Sequence, residues 1–139
     1  GSVGLMGEAA RSAQKFGSKV HGVIPKFLTK NEIPLRRINL TITKTMRTRK
    51  AKMYKISSMF IVLPGGIGTL DELVEILTLI QLKQIKNKPV LLLNINGFWD
   101  PILVMFKKMI NEGFLNKNNL NHFTELKNVA KLNSFIKSF

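Results

Sequence analysis

Four short apolar runs set the rhythm of the chain. Lys19 to Ile24 (KVHGVI), Ile38 to Thr43 (INLTIT), Met59 to Leu63 (MFIVL) and Pro89 to Ile95 (PVLLLNI) are rich in Val, Ile and Leu and are bounded by polar or turn-forming residues, which predicts strands. The apolar spacing around them changes to three and four residues. It predicts helices over Gly7 to Phe16, Met46 to Ser58, Thr69 to Gln84, Pro101 to Glu112 and about Thr124 to Ser138. Near-continuous apolar strands alternating with helices predict an α/β fold, a parallel sheet covered on both faces. The Asn/Lys stretch Asn116 to Asn121 reads as a surface loop, and no repeat or inter-domain linker interrupts the order.

In such a sheet ligands bind beyond the carboxyl ends of the strands, in the loops that lead into the next helices. Two of these loops carry candidate chemistry: Thr43 to Lys50 (TKTMRTRK) after the second strand, and Pro64 to Glu72 (PGGIGTLDE) after the third. Gly65, Gly66 and Gly68 let a backbone approach a ligand without side-chain interference. A helix opening at Thr69 would direct its free N–H groups and positive dipole end into that loop, an arrangement suited to phosphate. The spacing is neither the G-x-x-x-x-G-K-[ST] of nucleotide triphosphatases nor the G-x-G-x-x-G of dinucleotide folds, which disfavours both classes. A plain strand-to-helix turn is the competing reading.

Three of the eight acidic residues, Asp71, Glu72 and Glu75, fall within five positions. Glu72 has two readings: a catalytic carboxylate, or the distal half of a capping box begun by Thr69. Asp71 could serve the helix dipole. The apolar positions Leu70, Leu73, Val74, Ile76, Leu77, Leu79, Ile80 and Leu82 predict a helix buried nearly all round, on which Glu75 would need a partner or ligand, with Thr78 extending its polar stripe. On the preceding helix Met46, Arg49, Met53 and Ile56 share a face, so Arg49 is predicted to face the core. Arg47, Arg49 and Lys50 are also placed in the first turn, where positive charge opposes the macrodipole. Both features point to an anionic partner, and the two loops are predicted at the same sheet edge.

Length and composition narrow this further. The 139 residues fit one domain, and 45% hydrophobic content is that of a chain with a core. Without cysteine there is no disulfide framework, thiolate metal site or cysteine nucleophile, and two histidines, His21 and His122, are too few for a histidine-built metal centre. No run approaches the roughly 20 apolar residues of a membrane span and no signal-peptide pattern opens the chain, so an intracellular location is expected. The formal charge of +14 raises nucleic acid as a partner. Against it, 17 of the 22 basic residues are Lys, scattered beside 12 Asn, which matches a solvated surface rather than an Arg- and aromatic-lined groove.

Taken together, MRTRK at 46–50 and PGGIGTLDE at 64–72 resemble the M-x-x-R-K and P-G-G-x-G-T-x-x-E signatures of the Lonely Guy (LOG) family. These are cytokinin riboside 5′-monophosphate phosphoribohydrolases, often labelled lysine decarboxylase-like. The similarity continues through GSVGLMG, HGVIPKFL and KPVLLLNINGFWDPIL. It implies a Rossmann-like fold and a cytoplasmic homodimer that hydrolyses the N-glycosidic bond of an adenine-type nucleoside 5′-monophosphate, adenosine monophosphate or a cytokinin nucleotide, to free base and ribose 5-phosphate. By the same resemblance Arg49 and Glu72 are catalytic. Gly65, Gly66, Ile67, Gly68 and Thr69 bind the phosphate, and Glu32, Lys50, Leu70, Asp71, Glu75 and Thr78 complete the substrate-binding set. No metal and no cofactor is implied.

Two departures stand out. Arg47 and Leu79 occupy positions where the family often has His and Trp, which bears on base preference. Family members also carry a strand, a phosphate loop, a helix and a second strand before the segment matching GSVGLMG, so the chain is expected to be one nucleotide-binding domain that is N-terminally incomplete. Three competing functions stay open at this point: a non-catalytic nucleotide carrier or inactive truncated member, a pyridoxal-dependent decarboxylase, for which no lysine motif is present, and a nucleic-acid binder.

Overall fold

A computed structural model describes residues 3–30 and 35–139. The chain divides into two units, Gly1–Ser57 and Ser58–Phe139, each with its own parallel sheet.

The first unit opens with helix α1 (Gly4–Lys15), which begins three residues before the predicted start. Glu8 and Arg11, one turn apart, form a salt bridge on its exposed side. The helix ends where Gly17 takes a left-handed conformation (φ +78°) and Ser18 N–H closes on the Ala13 carbonyl at 2.9 Å. Strands β1 (His21–Pro25) and β2 (Asn39–Thr43) then pair in parallel, with Val23 opposite Thr41 and Ile24 opposite Ile42. Helix α2 (Met46–Ile56) packs against both strands. Its start is fixed by a reciprocal cap. The Thr48 N–H donates to Thr45 Oγ1 at 3.1 Å, and the Thr45 N–H donates to Thr48 Oγ1 at 3.0 Å.

The second unit is a three-stranded parallel sheet in the order β3 (Phe60–Val62), β4 (Val90–Leu93), β5 (Thr124–Leu126). Helices α3 (Ile67–Gln81), α4 (Asp100–Asn111) and α5 (Val129–Ser138) follow the three strands in turn. Every residue of central β4 is buried, as its uninterrupted VLLL sequence requires of a strand covered on both faces. Leu91 and Leu93 pack with Leu126 against Leu132 and Phe135 of α5, and Val90 and Leu92, which alternate to the other face, are as deeply buried.

Three sequence expectations change in this unit. The C-terminal helix predicted from Thr124 is split, because Thr124–Leu126 joins the sheet beside Leu91–Leu93 and Asn128 caps a later helix through the Lys131 N–H at 2.9 Å. The presumed surface loop at 116–121 is largely a 3-10 turn (Lys117–His122) packed on α3, with Asn119 and Leu120 half-buried. Helix α3 is buried along one face only, at Leu73, Ile76 and Ile80, whereas Ile67, Val74 and Leu82 are exposed. The alternation of strands and helices, the parallel pairing and the two-sided burial of β4 make the fold Rossmann-like α/β, as expected from the sequence.

Candidate active site

In the second unit the glycine loop sits where the sequence places it, between β3 and α3. The helix starts earlier than predicted. Gly66 is its N-cap and Ile67 its first residue, so Thr69 is the third helical residue and does not begin a capping box. The capping role for Glu72 therefore falls away. Asp71 likewise lies beyond the first turn, which contains no acidic residue. The first helical hydrogen bond runs from Leu70 N–H to the Gly66 carbonyl at 3.1 Å. The N–H groups of Ile67, Gly68 and Thr69 thus have no helical carbonyl ahead of them, and Gly66 has no side chain to cap them. Such an end attracts an anion through both its donors and its dipole.

The glycines differ in what they contribute. A Cβ on Gly65 would lie 2.2 Å from Thr69 Oγ1 and 2.8 Å from Thr69 Cβ, so Gly65 is required for the helix to fold back over its own loop. At Gly66 and Gly68 a Cβ would meet nothing within 4 Å, leaving open space above the backbone at the N-terminus of α3.

Along α3, an open groove of about 390 Å³ is lined by Ile67, Leu70, Asp71, Val74 and Glu75, residues that recur every three to four positions on one side. Thr78 continues this side, its Oγ1 donating to the Val74 carbonyl at 2.8 Å. Glu72 is half-buried beside it. The open groove revises the reading of Glu75 as a carboxylate on an all-round buried helix.

In the first unit the core-facing side of α2 is centred on Lys50 and Tyr54, 8% and 7% exposed, rather than on the predicted stripe of Met46, Arg49, Met53 and Ile56. Arg49 is half-buried, and its Nε donates to the Val23 carbonyl of β1 at 3.0 Å. That bond helps fix the orientation of the planar guanidinium. With Thr45 as the cap, Arg47 and Arg49 fall in the first turn and Lys50 begins the second. Glu32 lies outside the described residues.

A third loop, to which the sequence reading gave no role, follows β4. Asn94, 3% exposed, donates through Nδ2 to Asp100 Oδ1 at 2.7 Å and to Glu125 Oε1 at 2.8 Å, and its Oδ1 accepts from the Trp99 N–H at 2.7 Å. An Asn ending an apolar strand and followed by Asn-Gly was the available signal. Among the described residues no group of three or more His, Cys, Asp or Glu could hold a metal ion, and no helix is long and apolar enough to cross a membrane.

A family model described as "Possible lysine decarboxylase" matches residues 6–135. An Arabidopsis thaliana cytokinin riboside 5′-monophosphate phosphoribohydrolase is 40% identical over the whole chain and 65% of its own length. A probable enzyme of the same name from Oryza sativa subsp. japonica is 47% identical over 83% of the chain and 52% of its own length. A further Oryza sativa protein with that name is 43% identical over 83% of the chain and 48% of its own length. The chain thus spans about half to two thirds of the relatives it resembles. By the match over residues 6–135, which takes in both the Arg49 and the Glu72 signatures, the chain belongs to the family described as possible lysine decarboxylase, the Lonely Guy family that its motifs resemble.

Proposed function

We propose that the protein hydrolyses the N-glycosidic bond of a cytokinin-type adenosine 5′-monophosphate, releasing the free base and ribose 5-phosphate. The observation that carries this reading is the bare N-terminus of α3 behind a glycine loop with no room for a side chain at Gly65. The names of the relatives support the same substrate class. The 5′-phosphate is held by the N–H groups of Ile67, Gly68 and Thr69, and this remote binding energy positions the ribose.

Cleavage then breaks the bond between the anomeric carbon and the base nitrogen. The bonding pair leaves with the base, which takes up a proton, and water bonds to the anomeric carbon through its oxygen and gives up a proton, so that one water is consumed in all. Positive charge on the ribose peaks before water arrives, and the Glu72 carboxylate stabilises it and orients the water. Arg49 is the second catalytic residue, pre-oriented by the Val23 carbonyl. Lys50, Asp71, Glu75 and Thr78 are assigned to substrate binding. A homodimer belongs to the same proposal, supported by the exposed apolar residues Ile67 and Val74 on the open side of α3.

Incubation with a panel of nucleoside monophosphates, followed by chromatography for free base, tests the reaction. Glu72→Gln is expected to lower base release by at least about a hundredfold, the usual scale for removing a transition-state charge stabiliser. Normal release by that variant would overturn the assignment. A non-catalytic carrier would bind the monophosphate and release nothing.

A further inference from the structure

The loop after β4 is built more rigidly than a connection requires. Asn96 and Gly97 are consecutive left-handed residues, at φ +52° and +70°. A Cβ on Gly97 would lie 2.5 Å from Asp100 Oδ2. The buried Asn94 amide ties this strained turn to the start of α4 through Asp100 and to β5 through Glu125. Backbone strain of this kind persists where surrounding contacts over-determine it, and it concentrates at ligand clamps.

What the clamped loop presents is an aromatic ring. Phe98 is 50% exposed and stands edge-on to Trp99, with ring centroids 4.9 Å apart at 89°, while Trp99 itself is only 4% exposed. A half-exposed Phe on a buried Trp has its apolar surface available at little cost in side-chain entropy. Its location completes the argument. Strands β3 and β4 pair in parallel with Val62 opposite Leu92, so the glycine loop and this loop leave the same sheet edge one strand spacing apart, about 4.8 Å. A nucleotide whose phosphate sits at the α3 N-terminus has its base within reach of the neighbouring loop.

We infer that the loop joining β4 to α4 selects the base substituent, with Phe98 contacting an apolar group on the exocyclic nitrogen of the base. This rests on the nucleotide-hydrolase reading above. The experiment compares adenosine 5′-monophosphate with its N6-prenylated derivative on the full chain and on Phe98→Ala and Phe98→Tyr. Phe98→Ala is expected to raise KM for the prenylated nucleotide about tenfold while changing that for adenosine monophosphate less than about twofold. Phe98→Tyr, which keeps the ring, should restore the preference. Equal effects on both nucleotides, or no effect on either, overturn the inference while leaving base release by the parent protein intact. If the parent releases base from neither, the hydrolase reading fails and binding alone decides the role of the loop. Trp99, the chain's single tryptophan, then reports it. A saturable fluorescence change, larger for the prenylated nucleotide and lost in Phe98→Ala, supports the contact; an equal response to both nucleotides rejects it.

Discussion

At Gly65 and Gly66 adjacent glycines serve different ends. Gly65 is hemmed in by the Thr69 side chain, whereas Gly66 faces open space. Gly65→Ala must therefore displace Thr69 and is expected to cost about 1–3 kcal/mol, read as a fall in denaturation midpoint. Gly66→Ala, at an ordinary negative φ, should leave stability within about 0.5 kcal/mol of the parent. Under the proposed function it should nevertheless weaken nucleoside monophosphate binding, because its methyl group would project into the open space assigned to the phosphate. Calorimetric titration alongside thermal melting separates the two effects, and equal stability losses at both positions would contradict the packing described. The glycine loop was legible in the sequence because its Gly-Gly-x-Gly spacing marks a strand-to-helix turn without side chains. The capping alternative for Glu72 was equally legible and wrong, since one residue of local sequence could not tell whether Gly66 or Thr69 opens the helix.

The helices and strands show where sequence periodicity suffices and where it fails. Strand β4 could be read from VLLL alone because burial on both faces demands an unbroken apolar run. Strand β5, with only Thr124, Glu125 and Leu126, has no such signature and exists because Leu91–Leu93 offers it a partner. Helix α2 misled in another way. Its apolar spacing pointed to Arg49 as the inward residue, but the long stem of Lys50 fills that role beside Tyr54. The end of α3 is also non-standard. Lys83 adopts φ +54° where helices commonly place glycine, and Gln84 N–H closes on the Leu79 carbonyl at 2.9 Å. Lys83→Gly should relieve that left-handed strain and stabilise the protein by about 0.5–1 kcal/mol in chemical denaturation. Destabilisation instead would mean that the Lys83 stem contributes packing worth more than the strain.

For the whole molecule the charge is uneven. Gly1–Ser57 carries 13 basic and two acidic residues, a net of +11, and Ser58–Phe139 carries nine and six, a net of +3. Such a field attracts polyanions without selecting a sequence. Weak association with any DNA oligonucleotide is expected near 0.05 M salt, and it should be gone by about 0.3 M as screening shortens and counterion release loses its drive. The proposed base release from a nucleoside monophosphate should change far less over that range, because it would depend on short contacts at the α3 N-terminus. DNA binding that persisted at high salt would restore the nucleic-acid reading. The net charge was plain from composition, but its partition between two units was not, since that requires knowing where the chain divides.

The order of the strands in the second unit has a consequence for how the protein is made. Each strand pairs with the one synthesised before it, so the sheet can grow as the polypeptide emerges. Its central strand nonetheless stays uncovered on the Leu91 and Leu93 face until Leu132 and Phe135 arrive. From the synthesis of Leu93 until Phe135 emerges 42 residues later, that apolar face beside the glycine loop's neighbour strand is exposed to whatever meets the nascent chain.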